Sequence, residues 1–273
     1  MKFLIQKINN EIVHDFSFTL VESIKYMNWY TLSKDYKVKF MDSGHNPYED
    51  KSYINFNNSL LYKQYTPIGS VNFVTLYLQQ FYGKTPKPIN VPMELFGFAC
   101  RNIWNGTEKL LNIFEYNEVF VKSNDKIKAF TEIIKYDYVL PEGNYQFSYV
   151  IDIESEWRAF VYNKELVGLQ NYCGDFTLFP DVSLIKDMIQ AYKSAPIAYT
   201  LDVGIKRKNN WSKFSSPEKD TFVIEVHDFF SVGLYGFSDH KILPNMYYDW
   251  FREYINKKEL KEQKLKDNEH KTE

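Results

Sequence analysis

The chain of 273 residues is 44% hydrophobic and 18% aromatic, which excludes an intrinsically disordered polymer and supplies material for a sizeable core. With 33 Lys and Arg against 35 Asp and Glu it is nearly neutral, which excludes a general electrostatic grip on nucleic acid. No run reaches the ~18 apolar residues of a membrane span, and no secretory leader is legible, so a cytoplasmic protein is expected.

Residues 3–8, FLIQKI, read as a first strand. Residues 17–32 predict a helix on the loose periodicity of Phe18, Val21, Ile24 and Trp29. The polar segment 37–53 is expected to be loop, with His45 an ordinary surface residue among Asp42, Glu49 and Asp50. The phrase PIGS at 67–70 is a turn. Ser70 caps the helix that follows, with Val71, Val74, Leu78 and Phe81 along it, and Gly83 stops it. The proline-punctuated stretch 84–92 is an extended connector. It suggests an N-terminal lobe of residues 1–95, a second unit over 96–256 and a charged tail over 257–273.

Beyond the connector, EVFVKS at 118–123 reads as a strand. Val119 and Val121 share one face, Phe120 and Lys122 the other. Residues 145–162 read as strand, bend and strand, with Glu156, Arg158, Phe160 and Tyr162 on one face of the second. Asn163–Lys164 then turns the chain into ELVGLQNY, a hairpin signal. Ser183 opens a helix with Leu184, Met188 and Tyr192 in line, and residues 246–255 read as a short aromatic helix. Cys100 and Cys173 lie far apart with no CxxC spacing, so they read as reduced thiols.

Two strands carry acids. In IAYTLDVGI, 197–205, the odd-numbered apolar residues share a face and Asp202 takes the other. In TFVIEVHDF, 221–229, Phe222, Ile224 and Val226 are expected on one face, Glu225 and His227 on the other. The segment 206–220 between them has the composition of a loop. An acid on a strand ordinarily just faces water. Paired on a partly buried surface, however, Asp202 and Glu225 need a cation or a proton, and Mg²⁺ shared with phosphate oxygens is a natural companion.

The order of these pieces resembles the ATP-grasp superfamily, and within it a small phage and bacterial subfamily. The resemblance is carried by PIGSVNFV (67–74), PKPINVPMEL (86–95), VFVKS (119–123), SYVIDIESEWRAFV (148–161), YTLDVGI (199–205) and FVIEVHDFFSVGLYG (222–236). It implies an α+β fold, an ATP-grasp nucleotide-binding unit preceded by an N-terminal α/β lobe. It implies ATP and Mg²⁺ as cofactors and ligation of a carboxylate to an amine through an acylphosphate. The substrates would be small-molecule, peptide or protein carboxylates and amines. By position Lys122, with Arg101 where relatives carry an earlier lysine, would contact the nucleotide. The backbone of Gln146, Phe147, Ser148, Tyr149 and Val150 would line the adenine, Arg158 would face the γ-phosphate or acylphosphate, and Asp202 and Glu225 would bind Mg²⁺. Relatives usually carry asparagine where this chain has His227, which geometry permits as a further metal ligand. That departure leaves open a second reading, a nucleotide-binding regulatory protein without turnover.

Overall fold

The computed structural model describes residues 1–46, 51–53, 56, 60–113, 118–135, 137–207 and 219–269. Strand β1 (Lys2–Lys7) and helix α1 (Asp15–Tyr30) open the chain. Strands β2 (Lys37–Asp42), β3 (Gly44–Asn46), β4 (Lys51–Tyr53) and β5 (Thr66–Ile68) follow, then helix α2 (Val71–Tyr82). β1 lies between β2 and β5, parallel to both. The loop-rich reading of 37–53 is therefore overturned: β2, β3 and β4 occupy most of its described residues. β2 is an edge strand, mostly exposed, and its side chains lack the apolar weight that marks a central strand. His45 lies on the short β3–β4 ladder, while Glu49 and Asp50 lie outside the described residues. The helix over 17–32 forms, but Phe18 and Trp29 face solvent. Phe16, Leu20, Ile24 and Met27, with Ser17 and Ser23, make its buried stripe. α2 forms as its ends dictate. The Ser70 hydroxyl accepts from the Phe73 N–H, and Gly83 adopts φ 62°, the left-handed geometry that leaves residues with a Cβ strained.

Strands β6 (Ile103–Thr107), β7 (Val119–Ser123), β8 (Thr131–Ile134) and β9 (Asn144–Tyr149) form an antiparallel sheet in the order β6-β9-β7-β8. A second antiparallel sheet follows: β10 (Ser155–Tyr162), β11 (Glu165–Gly174), β12 (Ala198–Arg207) and β13 (Lys219–Asp228), in the order β11-β10-β12-β13. Helix α3 (Val182–Ala191) connects β11 to β12, and α4 (Leu243–Glu269) closes the chain. Asn163 and Lys164 both take positive φ, as a two-residue hairpin turn with the right twist requires. Asp181, not Ser183, caps α3: its carboxylate accepts from the Ser183 and Leu184 N–H groups. Of the loop expected at 206–220, residues 208–218 lie outside the described residues, and the flanks extend β12 and β13. Cys100 and Cys173 are exposed and are not joined in a disulfide. The described helices include none long and apolar enough to cross a membrane.

The mixture of helices and antiparallel and parallel sheets is α+β. Among the described residues, three apolar cores hold it. The largest joins β1, α1 and α2 to Phe160, Phe229, Tyr247, Trp250 and Phe251. A second lies between α3 and the β10-β12-β13 face, and a third, smaller one under β7 and β9.

Candidate active site

Glu225 stands directly opposite Asp202 across the β12–β13 pair. The register carries a bulge beside them: Asp202 pairs with Glu225, but Val203 pairs with Val223, leaving Ile224 as the extra residue. The bulge overturns the expected alternation. Val223 and Val226 both enter the core behind the sheet, while Phe222 shares the Glu225 side and packs against Gly204, where a Cβ would lie 2.5 Å from its ring. Without that extra residue, a two-residue period would not keep both valines inside and Glu225 opposite Asp202.

Arg101 secures the bulge. Its Nη1 donates to the Val223 carbonyl at 2.8 Å and its Nη2 to the Ile224 carbonyl at 2.9 Å, with further bonds to the Ala99 carbonyl and the Ser148 hydroxyl. Burial pulls this guanidinium down to about 10. Arg101 thus ties the bulge of one sheet to β9 of the other.

Arg158 sits on β10 directly across from Asp202. Its Nε and Nη2 donate to the two Asp202 oxygens at 2.8 and 2.6 Å, a planar fork-to-fork pair, and Nη1 donates to the Gly233 carbonyl. The Tyr172 and Tyr235 rings lie 5.5 and 5.1 Å from its guanidinium carbon. Burial pushes the Asp202 carboxyl up, but the Arg158 hydrogen bonds outweigh it and hold the group below the ordinary carboxylate range. Only 1% of Asp202 is exposed, so this pair is an interior one. Three of the five Arg158 N–H groups are committed to Asp202 and Gly233, which leaves two for the phosphate contact that the resemblance implies.

Lys122, on β7, crosses between the sheets to pair with Glu225 Oε2. Burial pulls its ammonium down to about 8; Asp202 opposes this and Arg101 adds to it. The other Glu225 oxygen faces His227 Nε2 at 3.0 Å, and the same nitrogen is 3.6 Å from Asp202 Oδ2. Burial also lowers the His227 imidazole below its ordinary value. Asp228, next to His227 and also an oxygen donor by type, turns toward the Trp250 indole and accepts from it at 2.9 Å.

A cavity of about 190 Å³ lies between the sheets, lined by Arg101, Phe120, Ser148, Tyr149, Val150 and Ile224 among others. Of the five residues 146–150, Ser148, Tyr149 and Val150 line this cavity, whereas Gln146 and Phe147 do not. The Gln146 amide instead clasps the backbone N–H and carbonyl of Val91, and Phe147 fills the core under β7. Neither Gln146 with the connector nor Arg101 with the bulge was legible as a strut, because each partner is remote in sequence.

Asp202, Glu225 and His227 each present one donor atom, all within 4.8 Å of one another, a set that fits a divalent cation. Each carboxylate oxygen has two lone-pair directions, so Asp202 can accept from Arg158 and still present an oxygen to a cation. Charge sets a condition. Arg158 and Lys122 already balance the two acids, so a bare dication finds no net attraction here and is best held when phosphates accompany it.

Similar folds occur among solved structures. A D-alanine–D-alanine ligase from Bacillus anthracis is 11% identical over 94% of this chain and 99% of its own, with a TM-score of 0.48. An N5-carboxyaminoimidazole ribonucleotide synthetase from Thermotoga maritima is 12% identical over 91% and 76%, with a TM-score of 0.49. The macrocyclase MdnC from Microcystis aeruginosa MRC, bound with precursor peptide MdnA, is 11% identical over 90% and 100%, with a TM-score of 0.45. No curated protein sequence matches the chain. Residues 98–244, over half of the chain and the stretch that contains every side chain of the site described above, match the ATP-grasp domain, R2K clade family 2, and the chain belongs to that family.

Proposed function

We propose that this protein is an ATP-dependent ligase that joins a carboxylate to an amine. The observation that carries the reading is the facing Asp202–Glu225 pair, with Lys122 and Arg158 on it, next in sequence to Ile224, which with Arg101 lines an apolar cavity of about 190 Å³. A carboxylate oxygen of the first substrate takes the γ-phosphoryl group and ADP leaves. The amine of the second substrate attacks the acyl carbon, inorganic phosphate departs, and the nitrogen loses a proton. Such chemistry demands positioning and charge neutralisation more than covalent help from the protein. Asp202, Glu225 and His227 would hold a divalent ion, with Mg²⁺ the ion that the resemblance implies, and its charge would neutralise phosphate oxygens. Lys122, released from Glu225, supplies a cation to the phosphates. Arg158 acts chiefly by fixing Asp202. Ser148, Tyr149 and Val150 would flank the base. Residues 1–95 would carry acceptor recognition, and 96–256 the nucleotide unit.

The test is acceptor-dependent release of ADP and phosphate across a panel of amino acids and short peptides. Glu225→Gln should abolish turnover while the protein stays folded. Turnover that survives this change would overturn the assignment.

The second reading is nucleotide binding without turnover. It is favoured by one observation, that both acids already hold internal cations and so stand charge-satisfied. Tight Mg·ATP binding with no ADP formed for any acceptor would select it.

A further inference from the structure

We infer that His227 makes this centre selective for a transition-metal dication of the Mn²⁺ class over Mg²⁺, with imidazole Nε2 as a direct ligand. The inference rests on the proposed metal centre and names its ion. Three observations carry it. Glu225 divides its oxygens, giving one to Lys122 and turning the other to His227. His227 Nε2 is the nitrogen that faces both acids, 3.0 Å from Glu225 Oε1 and 3.6 Å from Asp202 Oδ2. Two ligands at ~2.1 Å in neighbouring octahedral positions stand ~3.0 Å apart, so the first spacing already matches an octahedral edge and the second needs only a small contraction. Finally, His227 is about a third exposed and opens on a cleft lined by Lys87, Lys128 and Ser231, so phosphate oxygens can complete the shell from that side.

The selectivity follows from donor chemistry. Mg²⁺ takes oxygen and gives up water reluctantly, so a nitrogen in its shell is a poor trade for a water molecule. Imidazole raises affinity for first-row transition ions, in the order that runs upward from Mn²⁺. The two carboxylates and the phosphate oxygens keep the site hard enough for Mn²⁺ and argue against the softer end of that series.

The test loads the protein with MnCl₂ and β,γ-imido-ATP and reads the Mn²⁺ electron spin resonance. Pulsed measurements on protein labelled with ¹⁵N-histidine should show coupling of a directly bound histidine nitrogen, absent in His227→Asn. Competition should then show that the Mn²⁺-to-Mg²⁺ affinity ratio falls by about tenfold or more in His227→Asn, at least the loss typical when a group that merely supports a metal ligand is changed. His227→Gln, checked for folding by circular dichroism, serves as a second variant. Mn²⁺ that binds with no histidine coupling overturns the inference and leaves the ligase reading intact. An unchanged ratio in both variants also overturns it. Failure of Mn²⁺ to bind at all in the presence of the nucleotide overturns both the inference and the metal centre beneath it.

Discussion

Asp202 shows how a side chain can be legible in kind and illegible in company. Its place on a strand face followed from two-residue alternation, but not that Arg158 would meet it with a two-pronged bond in the interior. The consequence is measurable. Asp202→Ala strands a buried guanidinium without its counter-charge and should cost roughly 3–5 kcal/mol in denaturant unfolding. Arg158→Met with Asp202→Leu should recover much of that loss while leaving nucleotide-dependent metal binding absent, since stability and function part company once the pair is replaced by apolar packing. Asp202→Asn gives the pH signature. The Asp202 carboxyl is held below its ordinary value, so its contribution is present above the unfolded-state value of about 3.9 and is lost as pH falls below it. The stability gap between wild type and Asp202→Asn should therefore shrink on acidification. Lys122 titrates in the other sense. Its ammonium is pulled down to about 8, mainly by burial, so the amine becomes nucleophilic as pH rises through that value. In metal-free protein, acylation of Lys122 followed by mass spectrometry should reach half its maximal rate near there, well below the ordinary lysine value of about 10.4. A half-maximum at the ordinary value would show that the side chain leaves its cleft in solution.

At the level of elements, the β-bulge at Ile224 is the feature the sequence concealed. A strand read by strict alternation puts Phe222 with Ile224 and Val226; the structure puts Phe222 beside Glu225. Nothing local in TFVIEVHDF announces the extra residue, because the group that stabilises it is Arg101, 122 positions earlier. Hairpin turns and helix caps were legible for the opposite reason: Asn163–Lys164, Ser70 and Gly83 act on their own backbone. The edge strand β2 and the buried face of α1 escape sequence patterns because surface strands need little apolar weight, and because Ser17 and Ser23 lie inside where helical periodicity seeks hydrocarbon. Arg101→Met removes the donors to three carbonyls, those of Val223, Ile224 and Ala99, each worth about 1–3 kcal/mol when left unpaired in the interior. Amide exchange at Val223, Ile224 and Glu225 should accelerate well beyond that of β10, which lies on the far side of β12 in the same sheet. Arg101→Lys should fall between the two, since an ammonium reaches fewer of the acceptors than the planar fork. Exchange that is unchanged in Arg101→Met would mean that the bulge holds itself.

Across the whole molecule, the chain divides less cleanly than its connector suggests. Residues 84–92 form no helix or strand, as their prolines dictate, and they run past Val91, which Gln146 clasps. Yet the N-terminal sheet and helices do not close a core of their own. Phe3, Leu4 and Ile5 of β1 and Phe73, Val74 and Tyr77 of α2 belong to the same apolar cluster as Phe160, Phe229, Tyr247, Trp250 and Phe251. Aromatic contacts bind the two ends directly, with the Phe251 ring 6.1 Å from that of Tyr77 and 5.7 Å from that of Tyr82. That return of α4 onto the first sheet is a long-range event, and no pattern in either segment specifies the other. It fixes how the fragment 1–95 should behave. Cut away from α4, it exposes the apolar faces of β1 and α2 to water and lacks the burial that offsets the entropy of ordering its backbone. It should therefore show no cooperative thermal transition and poor dispersion of its amide resonances. In the full chain, Trp250→Ala should cost roughly 3–5 kcal/mol, and the loss should appear in the exchange of β1 amides as well as in those around α4. Loss confined to α4 would separate the two ends energetically and make the connector a true boundary.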